Sequence, residues 1–251
     1  MITKSILEDR TITKRFLFPR DKNFAGSYPI NTGSNTLFCY RQQNHHGKKT
    51  LLVFHGSNEI VSDYIDIFAH EIDKAGINLF IAEYPGYSQS TGIPTLINII
   101  DEIPFIVKSC EVPLKDLVVF GRSLGTAYAI NALNKFPEIS GLIIESGMAD
   151  FYERLERRVS AEDIETTEDI LRSEILIYFN IEESLKRFKG GTLIMHTKED
   201  RIINVKHAYQ NFEWANEPKT LKLFEEGDHS DIQYSNKIEY FKTIKDFMET
   251  C

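Results

Sequence analysis

From about Thr50 onward, short runs of Val, Ile, Leu and Phe recur between amphipathic stretches of helical length. LLVFHG from Leu51, INLFIAEY from Ile77, LVVFG from Leu117, LIIES from Leu142, LIMHT from Leu193 and LKLFEE from Leu221 are continuous rather than alternating. A continuous run suits a strand buried on both faces, and helices recurring between such strands mark a parallel sheet covered on both sides. The expected class is α/β. Ahead of these runs, TITKRFLF from Thr11 and NTLFCYRQ from Asn35 alternate more and flank the turn residues NTGSN. They predict an antiparallel edge pair, and so a mostly parallel central sheet of about eight strands flanked by helices.

The alternation lapses between Asp150 and Lys189, where FYERLERR and DILRSEILIYF carry helical patterns. The expectation is one domain over residues 1–251 with an inserted helical cap at 150–190. Asp150 to Ile170 holds eight acidic residues against three arginines, which reads as a solvated helix face. By contrast Ile175, Leu176, Ile177, Tyr178, Phe179 and Ile181 are too apolar for full exposure. Part of that run must face the sheet or a pocket.

Composition narrows the classes further. The 251 residues carry 29 Lys and Arg against 37 Asp and Glu, a net charge of −8, so the electrostatic footprint of nucleic-acid binding is missing. No window approaches the roughly 18 to 20 apolar residues of a membrane span. The opening MITKSILEDRTITKRF mixes both charge signs where a secretory signal would be apolar. Cys39, Cys110 and Cys251 are odd in number and widely spaced, which suits neither a disulfide framework nor a paired-cysteine metal site. A reducing, cytoplasmic setting is the default expectation.

The strongest chemical signal is VVFGRSLGTAYAINAL, where Gly121, Ser123 and Gly125 fit GxSxG between a buried strand and an Ala-rich helix. A sharp strand-to-helix turn leaves no room for side chains two residues either side of the serine. The same turn lifts the Ser123 hydroxyl above the sheet and aims the Leu124 N–H at a developing oxyanion. No GxxxxGK, no GxGxxG after a strand, no HExxH and no paired-cysteine site is present, so neither cofactor nor metal is implied.

With LLVFHGSNE, AEYPGYSQSTG, VVFGRSLGT, MHTKEDRI and EEGDHSD in this order, the chain resembles the α/β-hydrolase family from about Asn35 to the C-terminus. GRSLG with an early HGxxE is similar to the branch of protein depalmitoylases and related acyl hydrolases. Pro85 and Ser88 stand where that branch usually has arginine and glycine, a departure that bears on substrate class. The resemblance implies that the Ser57 N–H, beside Gly56 at a strand end, joins Leu124 in the oxyanion hole. Gly56 lets the backbone approach a reacting carbonyl closely. His55 reads as a structural hydrogen-bonding residue, with a role as base the alternative.

A serine nucleophile needs a base, and the base an acid to fix its tautomer. Of seven histidines, His229 alone follows the final strand, in GDHSD, where the chain order Ser, Asp, His places the base. Asp200, directly after LIMHT, is the expected acid, and Asp150, after the preceding strand, is the competitor. Arg122 is read either as a clamp for a substrate anion or as a salt-bridge partner of Glu83 or Glu145. The expected protein is a serine hydrolase that cleaves a small acyl ester or acylated substrate at its ester or thioester bond. A non-catalytic ligand-binding module and an acyltransferase are the alternatives.

Overall fold

The structure, a computed structural model, describes residues 5–251; the first four residues of the opening stretch lie outside the described residues. Eight strands form one sheet: β1 (Tyr28–Asn31), β2 (Thr36–Gln42), β3 (Thr50–Phe54), β4 (Asn78–Ala82), β5 (Leu117–Arg122), β6 (Gly141–Glu145), β7 (Gly191–Thr197) and β8 (Lys219–Phe224). Their order is β1-β2-β4-β3-β5-β6-β7-β8. The β1–β2 and β2–β4 pairs are antiparallel and all others parallel.

The continuous apolar runs have the physical cause expected of them. In β3, Leu51 and Val53 join one hydrophobic cluster while Leu52 and Phe54 join the other; in β5, Val118 and Phe120 separate from Val119 in the same way. Side chains alternate across a strand, so a sheet covered on both faces needs apolar residues at every position. One face is covered by Phe68–Lys74 and Lys237–Thr250 through Phe68, Ile72, Tyr240 and Ile244. The other is covered by the helices Leu96–Ser109 and Gly125–Lys135, among others.

The edge pairing differs from expectation in its first member. TITKRFLF is helical over Arg10–Ile12 and Thr13–Leu17, and the strand that pairs with β2 is YPIN of β1. Ile12 and Phe16 are four residues apart and both buried, which is helical spacing, and the Asp9 carboxylate caps the turn by accepting from the Thr11 N–H at 2.6 Å. In β1 only Ile30 is buried, so the edge strand has no hydrophobic run to reveal it. Pro29 is tolerated there because an edge strand leaves N–H groups unpaired.

Between β6 and β7 lie the helices Phe151–Glu156, Glu168–Tyr178 and Ile181–Arg187. Their apolar run is split: Ile175, Phe179 and Ile181 are buried, whereas Leu176 is 57% and Ile177 74% exposed. The segment is tied to the helix Gly125–Lys135 by Asn131, which donates to the Tyr178 carbonyl at 2.9 Å, and by Asn134, which donates to Ser184 Oγ at 2.9 Å. The N-terminal segment packs on it as well: Arg15 pairs with Asp163 at 2.7 Å, and the Phe16 ring meets Phe151 edge-on.

Candidate active site

Ser123 stands between the end of β5 and the helix Gly125–Lys135, with φ at 51°. That left-handed conformation is costly for a residue with a Cβ. Its neighbours explain how it is held. A Cβ at Gly121 would overlap Thr126 Cα, and one at Gly125 would overlap the Phe54 carbonyl; the two glycines let strand, turn and helix close on one another. The Ser123 N–H donates to the Glu145 carbonyl at 2.9 Å, extending the ladder between β5 and β6 through the turn.

His229 sits in the loop after β8 and Asp200 in the turn after β7. His229 Nε2 lies 3.1 Å from Ser123 Oγ, and His229 Nδ1 lies 2.8 Å from Asp200 Oδ2. A proton on Nδ1, donated to the carboxylate, leaves Nε2 as the acceptor for the Ser123 hydroxyl. All three side chains are buried. Burial works to raise the Asp200 carboxyl, but His196 and His229, with the N–H of Ile203, outweigh it and hold the group well below the ordinary carboxylate range. Asp200 Oδ1 accepts from the Ile202 and Ile203 N–H groups, each at 2.8 Å.

His196, which the sequence placed only inside a strand, is a support for this carboxylate. Its Nε2 lies 3.2 Å from Asp200 Oδ2 and 2.8 Å from the Ile203 carbonyl. Its position four residues before Asp200 at the end of a strand is the signal that was available. Asp150 is elsewhere: it caps the helix Phe151–Glu156 by accepting from the Glu153 N–H at 2.9 Å. His55 is wholly buried, with Nε2 2.8 Å from Glu83 Oε1.

Arg122 is bound to carboxylates rather than left free. Its Nε donates to Glu145 at 2.9 Å, it contacts Glu59, and Nη2 donates to the His229 carbonyl at 2.5 Å. Of the two partners read from sequence, Glu145 is found; Glu83 instead accepts from Ser88 Oγ at 2.7 Å as well as facing His55. Glu59 also accepts from the Gly56 N–H at 2.7 Å and from the Tyr64 hydroxyl at 2.6 Å, which fastens the loop carrying Ser57. Among the described residues, neither the Ser57 nor the Leu124 N–H donates to a protein acceptor.

Ser123, His229 and Ser57 line one cavity of about 520 Å³. Its walls include groups that local sequence did not single out: Phe16 and Phe18 from the N-terminal segment, and Arg154 and Arg158 from the region between β6 and β7. Phe179 lines a different cavity, of about 350 Å³, that contains neither Ser123 nor His229. Among the described residues no cluster of His, Cys, Asp or Glu is arranged to hold a metal, and no helix is long and apolar enough to cross a membrane.

Comparison with known proteins bears on the fold. Residues 45–167 match the family model described as serine aminopeptidase, S33. The chain is similar to alpha/beta hydrolase domain-containing protein 17B of Homo sapiens, 22% identical over 235 residues, covering 91% of this chain and 77% of that protein. It is also similar to the uncharacterized protein YfhR of Escherichia coli, 25% identical over 166 residues, covering 64% and 56%. Among solved structures, the Pyrococcus furiosus esterase Pf2001 superposes with a TM-score of 0.73 at 16% identity, covering 94% of this chain and 97% of that one. Est1E of Butyrivibrio proteoclasticus gives 0.73 at 16% identity, covering 89% and 98%. The sheet order and these superpositions show that the chain has the α/β-hydrolase fold.

Proposed function

We propose that the chain is a serine hydrolase that cleaves carboxylic esters or acyl thioesters through an acyl-enzyme on Ser123. The observation that carries this reading is the unbroken line of contacts from Ser123 Oγ through the His229 ring to Asp200, with Ser123 and His229 lining a cavity. Ser123 Oγ attacks the acyl carbonyl while His229 Nε2 takes its proton, and Asp200 holds the Nδ1–H and stabilises the imidazolium that forms. The carbonyl oxygen, now negative, accepts from the Leu124 and Ser57 N–H groups, which have no competing acceptor among the described residues. His229 returns the proton to the departing alcohol or thiol. Water then gives its proton to His229, attacks the acyl carbon, and releases the acid with Ser123 restored.

The helical segment between β6 and β7 serves in this reading as a cap, since Arg154 and Arg158 from it line the same cavity as Ser123. The test is labelling with a fluorophosphonate, together with turnover of 4-nitrophenyl esters. Both should be present in the natural chain and absent in a folded Ser123→Ala variant. Labelling or turnover that survives in Ser123→Ala would overturn the assignment. A natural chain that neither labels nor turns over would favour a ligand-binding module on the same fold.

A further inference from the structure

Four arginines, Arg20, Arg122, Arg154 and Arg158, line the cavity that holds Ser123, against two carboxylates, Glu59 and Asp63. Both carboxylates are taken. Asp63 pairs with Arg20, Oδ1 to Nη2 at 3.2 Å, and Glu59 with Arg122. Glu153, on the same helix as Arg154, is also occupied, by Arg157 at 3.1 Å and Lys206 at 2.8 Å. Arg154 and Arg158 therefore have no carboxylate partner among the described residues. Two guanidinium groups without a carboxylate partner thus stand in the wall of the cavity beside the nucleophile, in a chain whose net charge is −8.

The two side chains are four residues apart and follow one another around a helical turn, with the Arg158 N–H still donating to the Leu155 carbonyl at 2.9 Å. The Arg158 guanidinium lies 5.5 Å from the centre of the Phe18 ring, a contact that steadies it without neutralising it. Arg154 is half-buried. Burial and the charges of Arg158 and Arg157 push its guanidinium below the ordinary value, with Asp200 working the other way. An unpaired, partly desolvated arginine beside a second one is stabilised when an anion joins them, and guanidinium groups match carboxylate and phosphate oxygens in geometry.

We propose that Arg154 and Arg158 bind an anionic group, a carboxylate or phosphate, carried by the substrate whose acyl carbonyl meets Ser123, so that the cavity selects negatively charged esters. This rests on the hydrolase reading above and specifies its substrate class. The anion can sit on the acyl arm or on the leaving group, and two substrate pairs separate these. Mono(4-nitrophenyl) glutarate against 4-nitrophenyl butyrate tests the acyl arm, and 4-acetoxybenzoate against phenyl acetate tests the leaving group.

In at least one pair, Arg154→Gln with Arg158→Gln should lower the anionic-to-neutral ratio of kcat/KM at least tenfold, chiefly through KM. In the natural chain the same ratio should fall by a similar factor between about 20 mM and about 500 mM NaCl, where screening shortens to a few ångströms; this measurement stands even if the double variant does not fold. Ratios that are unchanged by salt in both pairs, and by the substitutions where the variant folds, would overturn the proposal and leave the two arginines as solvated surface charge. Calorimetric titration of Ser123→Ala with monomethyl glutarate and with methyl phosphate separates this failure from that of the hydrolase reading. Salt-sensitive binding of either anion in a chain without turnover would keep the anion site and remove the hydrolase, whereas absent binding with intact ester turnover would do the reverse.

Discussion

Arg122 Nη2 donates to the backbone carbonyl of His229 at 2.5 Å, so the residue immediately before Ser123 braces the loop that carries His229. The same guanidinium is anchored on Glu145 at 2.9 Å and contacts Glu59. Three separate segments thus meet on one side chain: the end of β6, the loop after β3 and the loop after β8.

Breaking that anchor should cost stability as well as activity. Arg122→Met leaves Glu145, 1% exposed, without its cation. A buried charge stripped of its partner typically costs about 3–5 kcal/mol. Urea unfolding followed by tryptophan fluorescence should show a loss on this scale, with ester turnover falling in the fraction that remains folded. A loss under about 1 kcal/mol would mean that the pair does not brace the fold.

Asp200→Asn should fold and lose about 10⁴-fold in kcat/KM, because an amide cannot hold the His229 tautomer that accepts from Ser123. Asp150→Asn should leave turnover close to that of the natural chain, since asparagine also caps helices well. The reverse outcome would move the acid to Asp150. Asp200 has a further consequence for acid stability. Its folded value lies below the unfolded one, so its contribution is present above the unfolded value of about 3.9 and is lost as pH falls toward the lower folded value. Asp200→Asn should therefore flatten part of the decline in stability below about pH 4, measured by denaturant titration.

Phe179→Ala should destabilise by about 3–5 kcal/mol without changing acyl-length preference. The ring stacks on Phe151, with centroids 4.1 Å apart and planes 3° from parallel, and the cavity it borders does not contain Ser123. Turnover across 4-nitrophenyl esters of increasing length checks this. A selective gain on long chains would show that the two cavities communicate.

Thiol reactivity should sort the cysteines by burial. Burial outweighs Lys49 and raises Cys251 to about 11, and it drives Cys39 and Cys110 higher still. The thiolate is the reactive form. Ellman's reagent at pH 8 should therefore react slowly with Cys251 alone, at a rate rising about tenfold per pH unit, and with the other two only on unfolding. Rapid reaction of Cys39 or Cys110 in the folded chain would contradict their packing.

Much of this was legible before folding was considered. Period and composition mark buried strands because a two-sided sheet demands apolar residues at successive positions, and five of the six continuous runs coincide with buried strands. The sixth, LKLFEE, falls on β8 at the sheet edge, where of Lys219–Phe224 only Phe224 is buried, because no strand covers its outer side. The turn around Ser123 was readable because its steric demand falls on Gly121 and Gly125, close in sequence to the serine. The positions of Asp200 and His229 followed from their places after the last two strands, where chain order limits the choices.

Tertiary structure decided the rest. The edge strand Tyr28–Asn31 has one buried residue and declares itself only by pairing with β2. Whether Arg122 meets Glu145 or Glu83 depends on how neighbouring strand ends lie in space, and both options are equally plain in sequence. Phe16, Phe18, Arg154 and Arg158 come together around Ser123 from segments far apart in the chain. Local patterning reflects forces acting over a few residues, whereas a cavity wall and its charge balance arise from the packing of whole elements. The amino-acid sequence therefore determined the sheet and the turn that holds Ser123, and the folded arrangement determined what surrounds that serine.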